Sequence, residues 1–362
     1  MQAVVNHRYK YIMLYSAKAA CTSMRTLYLD IHRDELSEDQ LEQLNGYHNL
    51  NELLPYEEET DYRAYYKFYV SRNPYSRVVS AFLDQYAYAQ NRGVKDMLED
   101  SPPSGDAPNS FIEFLQYLKT VPDADRDSHF QTQSYFFASD KVRLRKFFQR
   151  ASKNTLTIDY AGDLADFNAH MAKVYTKIFR KHKPMLETAL ANLSMVKKMN
   201  SSFYGDDTVD DAAELGLQEL EELVFAPKPQ EFFLSSLAQQ LVEEIYAEDF
   251  SLFGYDVGSI PHKKASAELA EIPDDFDWQT YLLLGPDLVL KNIVNQRRVT
   301  RHFLAFGRFE TGRRAYKIEA PEGFDWRKYL DLHADLQLAG VDNERDAIIH
   351  YLAYGRNEGR AF

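Results

Sequence analysis

A single cysteine, Cys21, stands in 362 residues, so no disulfide can form within the chain, and no Cys/His spacing matches a zinc site. That usage fits a reducing compartment. Long apolar runs are missing as well. The opening MQAVVNHRYKYIMLY has too short an apolar run for a signal segment, and nothing approaches the ~20 apolar residues that span a bilayer. The expectation is a soluble, cytoplasmic protein. Basic residues are outnumbered, 42 Lys and Arg against 55 Asp and Glu: the net charge of −13 disfavours general nucleic-acid binding, because phosphate neutralisation needs a basic face. Two basic clusters survive, Lys141 to Arg150 and Lys177 to Lys183, readable as solvated helix faces or as a landing site for an anionic substrate. No metal is expected; the acidic run Asp206 to Asp211 lacks the glycine and final glutamate of a calcium loop. Glycine is absent between residues 11 and 32, which excludes a GxxxxGK[ST] nucleotide loop there.

What is present is enough for a core: 45% hydrophobic residues and 14% aromatic ones. The length favours one domain of roughly 250 residues and a smaller unit. The smaller unit is visible as a duplication. FDWQTYLLLGPDL (from Phe276) matches FDWRKYLDLHADL (from Phe324), and RHFLAFGRFETGR (from Arg301) matches IHYLAYGRNEGR (from Ile349), all at an offset of 48 residues. Short helices are expected in each copy, with Gly307 and Gly355 as helix C-caps, and the two copies stack. His302 and His350 read as packing residues, since no second metal ligand accompanies them. The boundaries read as 1–257 for the first domain, 258–273 for a polar linker, and 274–362 for the repeats (274–316 and 322–362).

Within the first domain, YIMLY (Tyr11 to Tyr15) and YYKFYV (Tyr65 to Val70) read as buried strands. Each is followed by a polar turn and an amphipathic stretch. Strands alternating with helices predict an α/β fold with a parallel sheet and helices on its faces. Ligands of such sheets bind beyond the carboxyl ends of the strands, where both turns lie. The first turn, Ser16 to Ser23, sets one lysine, Lys18, among small residues. Unpaired amides at the start of a helix attract anions, small side chains let the anion approach, and Lys18 adds a full charge. The second turn supplies Arg72, with Arg77 and Ser80 further along. Two anion sites at neighbouring strand tips suit a ligand with phosphates at two ends.

AKAACTSMR (Ala17 to Arg25) resembles the 5′-phosphosulfate loop of sulfotransferases that use 3′-phosphoadenosine 5′-phosphosulfate (PAPS), in the xPKxACT form of the carbohydrate 4-O-sulfotransferase branch. YYKFYVSRNPYSRVVSAFLDQY resembles that branch's 3′-phosphate segment, KFxxVRxPxxRxxSAF. Asp127-Ser128-His129-Phe130 with Gln133 is similar to its D/N-x-H-W/F-x-P-Q segment, and TIDYAGDLADFNAHM and IYAEDFSLFGYD resemble later stretches. Ala17 and Thr132 stand where the family has proline, and Asp163 where it has glutamate. The resemblance implies a sulfotransferase fold with a P-loop-like sheet, PAPS as donor, PAP as product and no metal. It also implies residue roles. Lys18, Ala19, Ala20, Cys21, Thr22 and Ser23 hold the 5′-phosphosulfate, Lys18 neutralises the leaving oxygen, and Arg72 and Ser80 bind the 3′-phosphate while Arg77 braces the loop. The base is His129 or His48, the latter 24 residues before Arg72 as in uronyl 2-O-sulfotransferases. Lys198, in the stretch Lys197 to Ser201, reads either as a late cofactor-contacting loop or as a surface turn.

The acceptor implied is a glycan or glycoconjugate hydroxyl. The C-terminal copies resemble FDxxxYLxxxPDLxxAG…HYxxxGxxEGR repeats appended to glycosyltransferases, which implies contact with a glycan or a partner. Two rival readings remain: a nucleotide-dependent kinase, and a non-catalytic binding protein on the same fold.

Overall fold

The computed structural model describes residues 2–39, 41, 53–54, 60, 62–88, 107–135, 158–195, 203–309 and 316–362. His48, Lys198 and the basic cluster from Lys141 lie outside the described residues. The chain divides into two compact units: residues 1–201, 208–220 and 227–263, and residues 202–207, 221–226 and 264–362.

The first unit is built on a five-stranded sheet in the order β3-β1-β2-β4-β5. The strands are β1 (Gln2–Asn6), β2 (Tyr11–Tyr15), β3 (Leu53–Leu54), β4 (Tyr66–Ser71) and β5 (Tyr160–Asp163). All neighbouring pairs are parallel except β1 with β2, which form an antiparallel hairpin. β2 is buried on both faces, as the unbroken YIMLY run requires. Its odd residues Tyr11, Met13 and Tyr15 pack with Met24, Leu27, Tyr28 and Ile31 of α1 (Cys21–His32) and with Met171, Val174 and Tyr175 of α4 (Phe167–Ile178). The 24, 27, 28, 31 spacing puts one apolar stripe of α1 on the sheet. Helix α5 (Lys183–Met195) adds Ala189 and Leu193 to the same cluster.

β2 and β4 lie side by side in register, Tyr15 opposite Val70, so their carboxyl ends open at the same edge. After β4 the chain turns through Asn73, whose side chain accepts the Tyr75 amide at 3.0 Å. Helix α2 (Pro74–Ala81) follows, with proline at its first position, and continues into wider π turns over Phe82–Ala87. Helices α3 (Phe111–Thr120), α6 (Ser236–Ile245) and α7 (Ala247–Phe253) complete the elements used below.

In the second unit the same arrangement occurs twice. The first copy holds α8 (Trp278–Leu283), α9 (Pro286–Leu290) and α10 (Gln296–Ala305); the second holds α11 (Trp326–Leu332), α12 (Ala334–Leu338) and α13 (Glu344–His350). Asp277 and Asp325 cap the first helix of each copy, and Asn295 and Asn343 the third. Tyr281 and His302 share a hydrogen bond of 2.9 Å, as do Tyr329 and His350. Leu284 of the first copy packs on Ile348 and Leu352 of the second. The expectation for Gly307 and Gly355 is corrected: neither has the positive φ of a left-handed cap. A side chain at either position would strike the hydroxyl of Tyr281 or Tyr329, so glycine is needed for close approach. Residues Ala267–Glu271 form a short 3₁₀ turn, and Ile272 packs with the first copy's core. Among the described residues no helix is long and apolar enough to cross a membrane.

Candidate active site

The turn after β2 takes its shape without glycine. Lys18 and Ala20 both have left-handed backbone, with φ of 63° and 61°, a conformation that disfavours a Cβ. Strain of this kind persists only where surroundings impose it. Two guanidinium groups from the neighbouring strand tip do so. Arg77 Nε donates to the Ala17 carbonyl at 3.1 Å, and Arg72 Nη1 donates to the Lys18 carbonyl at 3.0 Å. The turn then enters α1 at Ala20, whose side chain offers no capping hydrogen bond. Small residues, a left-handed turn and an uncapped helix start fit an anion cradle.

The lysine and the arginine foreseen for two ends of a ligand are thus in contact. The Lys18 side chain pairs with the Asp84 carboxylate in the π turns. Arg72 also donates through Nε to Ser76 Oγ at 3.2 Å. Ser80 lies one turn after Ser76 on α2 and is half-buried. Arg77 is 1% exposed, and its Nη2 has no hydrogen-bond partner among the described residues.

Arg77 has a second task. Its Nη1 donates to the Gln131 carbonyl at 2.8 Å, so one guanidinium joins the lysine turn to the Asp127–Gln133 segment. That segment carries His129, whose ring Nδ1 lies 2.7 Å from Asp127 Oδ1; the His129 amide donates to the same oxygen at 2.9 Å. Burial pulls the Asp127 carboxyl up, but the His129 ring and the amides of His129 and Ser128 outweigh it and hold the group below its usual range. The His129 side chain is 24% exposed, so the ring reaches solvent. Thr132, at the position of the family's proline, ties the segment down differently: its amide and hydroxyl both donate to Asp123, at 2.9 and 2.6 Å.

Four bracing residues were not singled out as functional from the sequence. Gln133, fully buried, pairs with the backbone of Arg72 in both directions: it accepts the Arg72 amide at 3.0 Å and donates to the Arg72 carbonyl at 2.9 Å. Asp249 of α7 accepts the amides of Gln133 and Ser134 at 2.9 and 2.7 Å. Burial pushes the Asp249 carboxyl above its usual range, opposed by the nearby Arg77 charge and these amides. Tyr246 donates its hydroxyl to the Phe130 carbonyl at 2.9 Å, and the Tyr255 hydroxyl lies 2.8 Å from Ser71 Oγ at the end of β4. The IYAEDFSLFGYD stretch is therefore the brace behind both loops. A partial signal existed in Asp249 between the aromatic residues Tyr246 and Phe250, since a buried carboxylate requires partners, but nothing in the sequence names those partners.

Among the described residues no cluster of three or more His, Cys, Asp and Glu side chains is arranged to hold a metal ion. No curated protein and no solved structure matches the chain. The model of the sulfotransferase family matches residues 1–256, which span the sheet, both strand-tip turns, the His129 segment and the brace. The chain belongs to the sulfotransferase family.

Proposed function

We propose that the protein is a PAPS-dependent O-sulfotransferase acting on a carbohydrate hydroxyl, within the carbohydrate 4-O-sulfotransferase-like branch. The observation that carries this reading is the Arg72 guanidinium on the Lys18 carbonyl, which joins two cationic turns at one edge of the sheet. Residues 18–23 would hold the 5′-phosphosulfate, and Arg72 with Ser80 the 3′-phosphate. Arg77 holds the backbone rather than the ligand, consistent with its burial.

The donor supplies the sulfuryl group. The acceptor oxygen forms a bond to sulfur as the bond from sulfur to the bridging oxygen breaks. Lys18 neutralises the charge that appears on that oxygen, the kind of preplaced charge that lowers a transition state. His129 takes the acceptor's proton: with Nδ1–H donated to Asp127, Nε2 is the basic nitrogen. The Asp127 carboxylate orients the ring. Positioning dominates such an in-line transfer. In the second unit, Phe306 and Tyr354 occupy equivalent positions at 52% and 47% exposure, which supports a glycan or partner contact there.

The test is calorimetric titration with PAP and with ATP, followed by transfer from radiolabelled PAPS to a glycan panel. PAP binding, with transfer lost in Lys18→Ala and His129→Ala, is the expected result. His48→Ala, run in parallel, retains transfer if His129 is the base. Preference for ATP supports a kinase instead. PAP binding with function unchanged in both variants supports a non-catalytic protein.

A further inference from the structure

The Lys18 ammonium is paired before any ligand arrives. Its partner, Asp84, lies in the π turns over Phe82–Ala87, a helix geometry that recurs at functional sites. The Gln85 side-chain Nε2 donates to Asp84 Oδ2 at 2.6 Å and holds the carboxylate in place. The two side chains are 15% and 31% exposed, so water screens neither charge fully. Lys18 is therefore fixed at both ends, its carbonyl by Arg72 and its ammonium by Asp84. Asp84 also stands one turn beyond Ser80, on the helix that leaves the second anion turn.

An anionic donor reaching Lys18 meets a neutral pair, not a bare cation. Binding exchanges one counter-ion for another and leaves a carboxylate beside a phosphate, where like charges oppose each other. We propose that Asp84 is a positioning residue: it parks Lys18 between turnovers and, by competing for the lysine, weakens the hold on the departing bisphosphate nucleotide. This rests on the donor site proposed above. Tight product would otherwise occupy the cradle, because the product keeps both phosphates that the two turns grip.

The experiment is titration calorimetry of PAP into the full-length wild type, Asp84→Asn, Asp84→Ser, Lys18→Ala and the Lys18→Ala/Asp84→Asn double variant, each checked for folding by circular dichroism. Removing the carboxylate tightens PAP binding by about tenfold in both Asp84 variants. The gain shrinks in the Lys18→Ala background, where no lysine is left to compete for, and what remains there measures direct repulsion between the carboxylate and the phosphates. In transfer assays Asp84→Asn lowers the KM for donor and raises sensitivity to PAP inhibition, a pattern that loss of a packing contact does not produce. PAP affinity that is unchanged or weaker in both Asp84 variants, with PAP bound by the wild type, overturns the counter-ion role and leaves the donor site standing. Failure of the wild type to bind PAP overturns both.

Discussion

Histidine serves the two units differently. His129 in the first unit is bonded to a carboxylate on a loop that Arg77, Tyr246 and Asp249 hold from behind, and its ring reaches solvent. His302 and His350 in the second unit are each bonded to a tyrosine hydroxyl beneath a glycine that admits the ring. The residue type is the same. The partner differs, and so does what lies behind it. A carboxylate only accepts, so it holds one imidazole tautomer, whereas a phenol hydroxyl can donate or accept; burial pushes the Tyr329 phenol up to about 12, so it stays neutral. The repeated Tyr–His pair is a packing device used once per copy, whereas the Asp–His pair sits on the segment that Arg77 ties to the lysine turn.

Breaking the brace should have the largest effect. Arg77→Met strands the buried Asp249 carboxylate and frees both loops, for an expected loss of about 3–5 kcal/mol in urea unfolding together with loss of transfer. Lys18→Ala should largely separate chemistry from stability, lowering transfer by about 10²–10³-fold while the lost Asp84 pair costs about 1 kcal/mol or less in urea unfolding. Asp127→Asn removes the orienting charge and should lower transfer by roughly 10²-fold, with donor KM held. On the other side of the comparison, Tyr281→Phe and Tyr329→Phe should each cost about 1 kcal/mol of stability, read by thermal unfolding, and leave transfer untouched.

A smaller, pH-dependent effect belongs to His32, which is fully buried between the Tyr11 hydroxyl (2.7 Å) and Glu35 (3.0 Å). Burial lowers its pKa, against the Glu35 hydrogen bond and charge, while Arg8 lowers it further. The folded state therefore resists protonation more than the unfolded chain. Its contribution to stability is present above the ordinary imidazole range, near ~6.5, and is lost as pH falls below it. Melting temperature followed from pH 7.5 downward should drop more steeply in the wild type than in His32→Gln; equal slopes would sink the assignment.

Much of the site was legible because its chemistry sits close together in sequence. Lys18 with its small neighbours, and Arg72 before Asn73-Pro74, announce strand-tip turns through local signals alone. The α/β class followed from two buried runs, each leading into an amphipathic helix. The β1 hairpin did not, because QAVVN is short and its antiparallel pairing depends on the partner strand. Gln133 and Asp249 escaped for a related reason. Their roles consist of bonds to backbone atoms 61 and 116 residues away, and no residue pattern records where a distant amide will lie. Asp84 was hidden by the change from α to π turns, which alters the face on which it emerges. Gly307 and Gly355 were misread because a glycine near a helix end suggests a cap, while the Tyr281 and Tyr329 hydroxyls that crowd them lie 26 residues earlier in each copy.

The left-handed turn at Lys18 and Ala20 has a consequence for transplanting it. Each residue pays roughly 1–3 kcal/mol to hold that backbone without glycine. The restraint comes from outside, through the Arg72 and Arg77 guanidinium groups on two consecutive carbonyls. Grafted alone onto another strand–helix junction, residues 16–23 would relax and carry their composition but not their shape. The portable module is the segment together with the two arginines that clamp it.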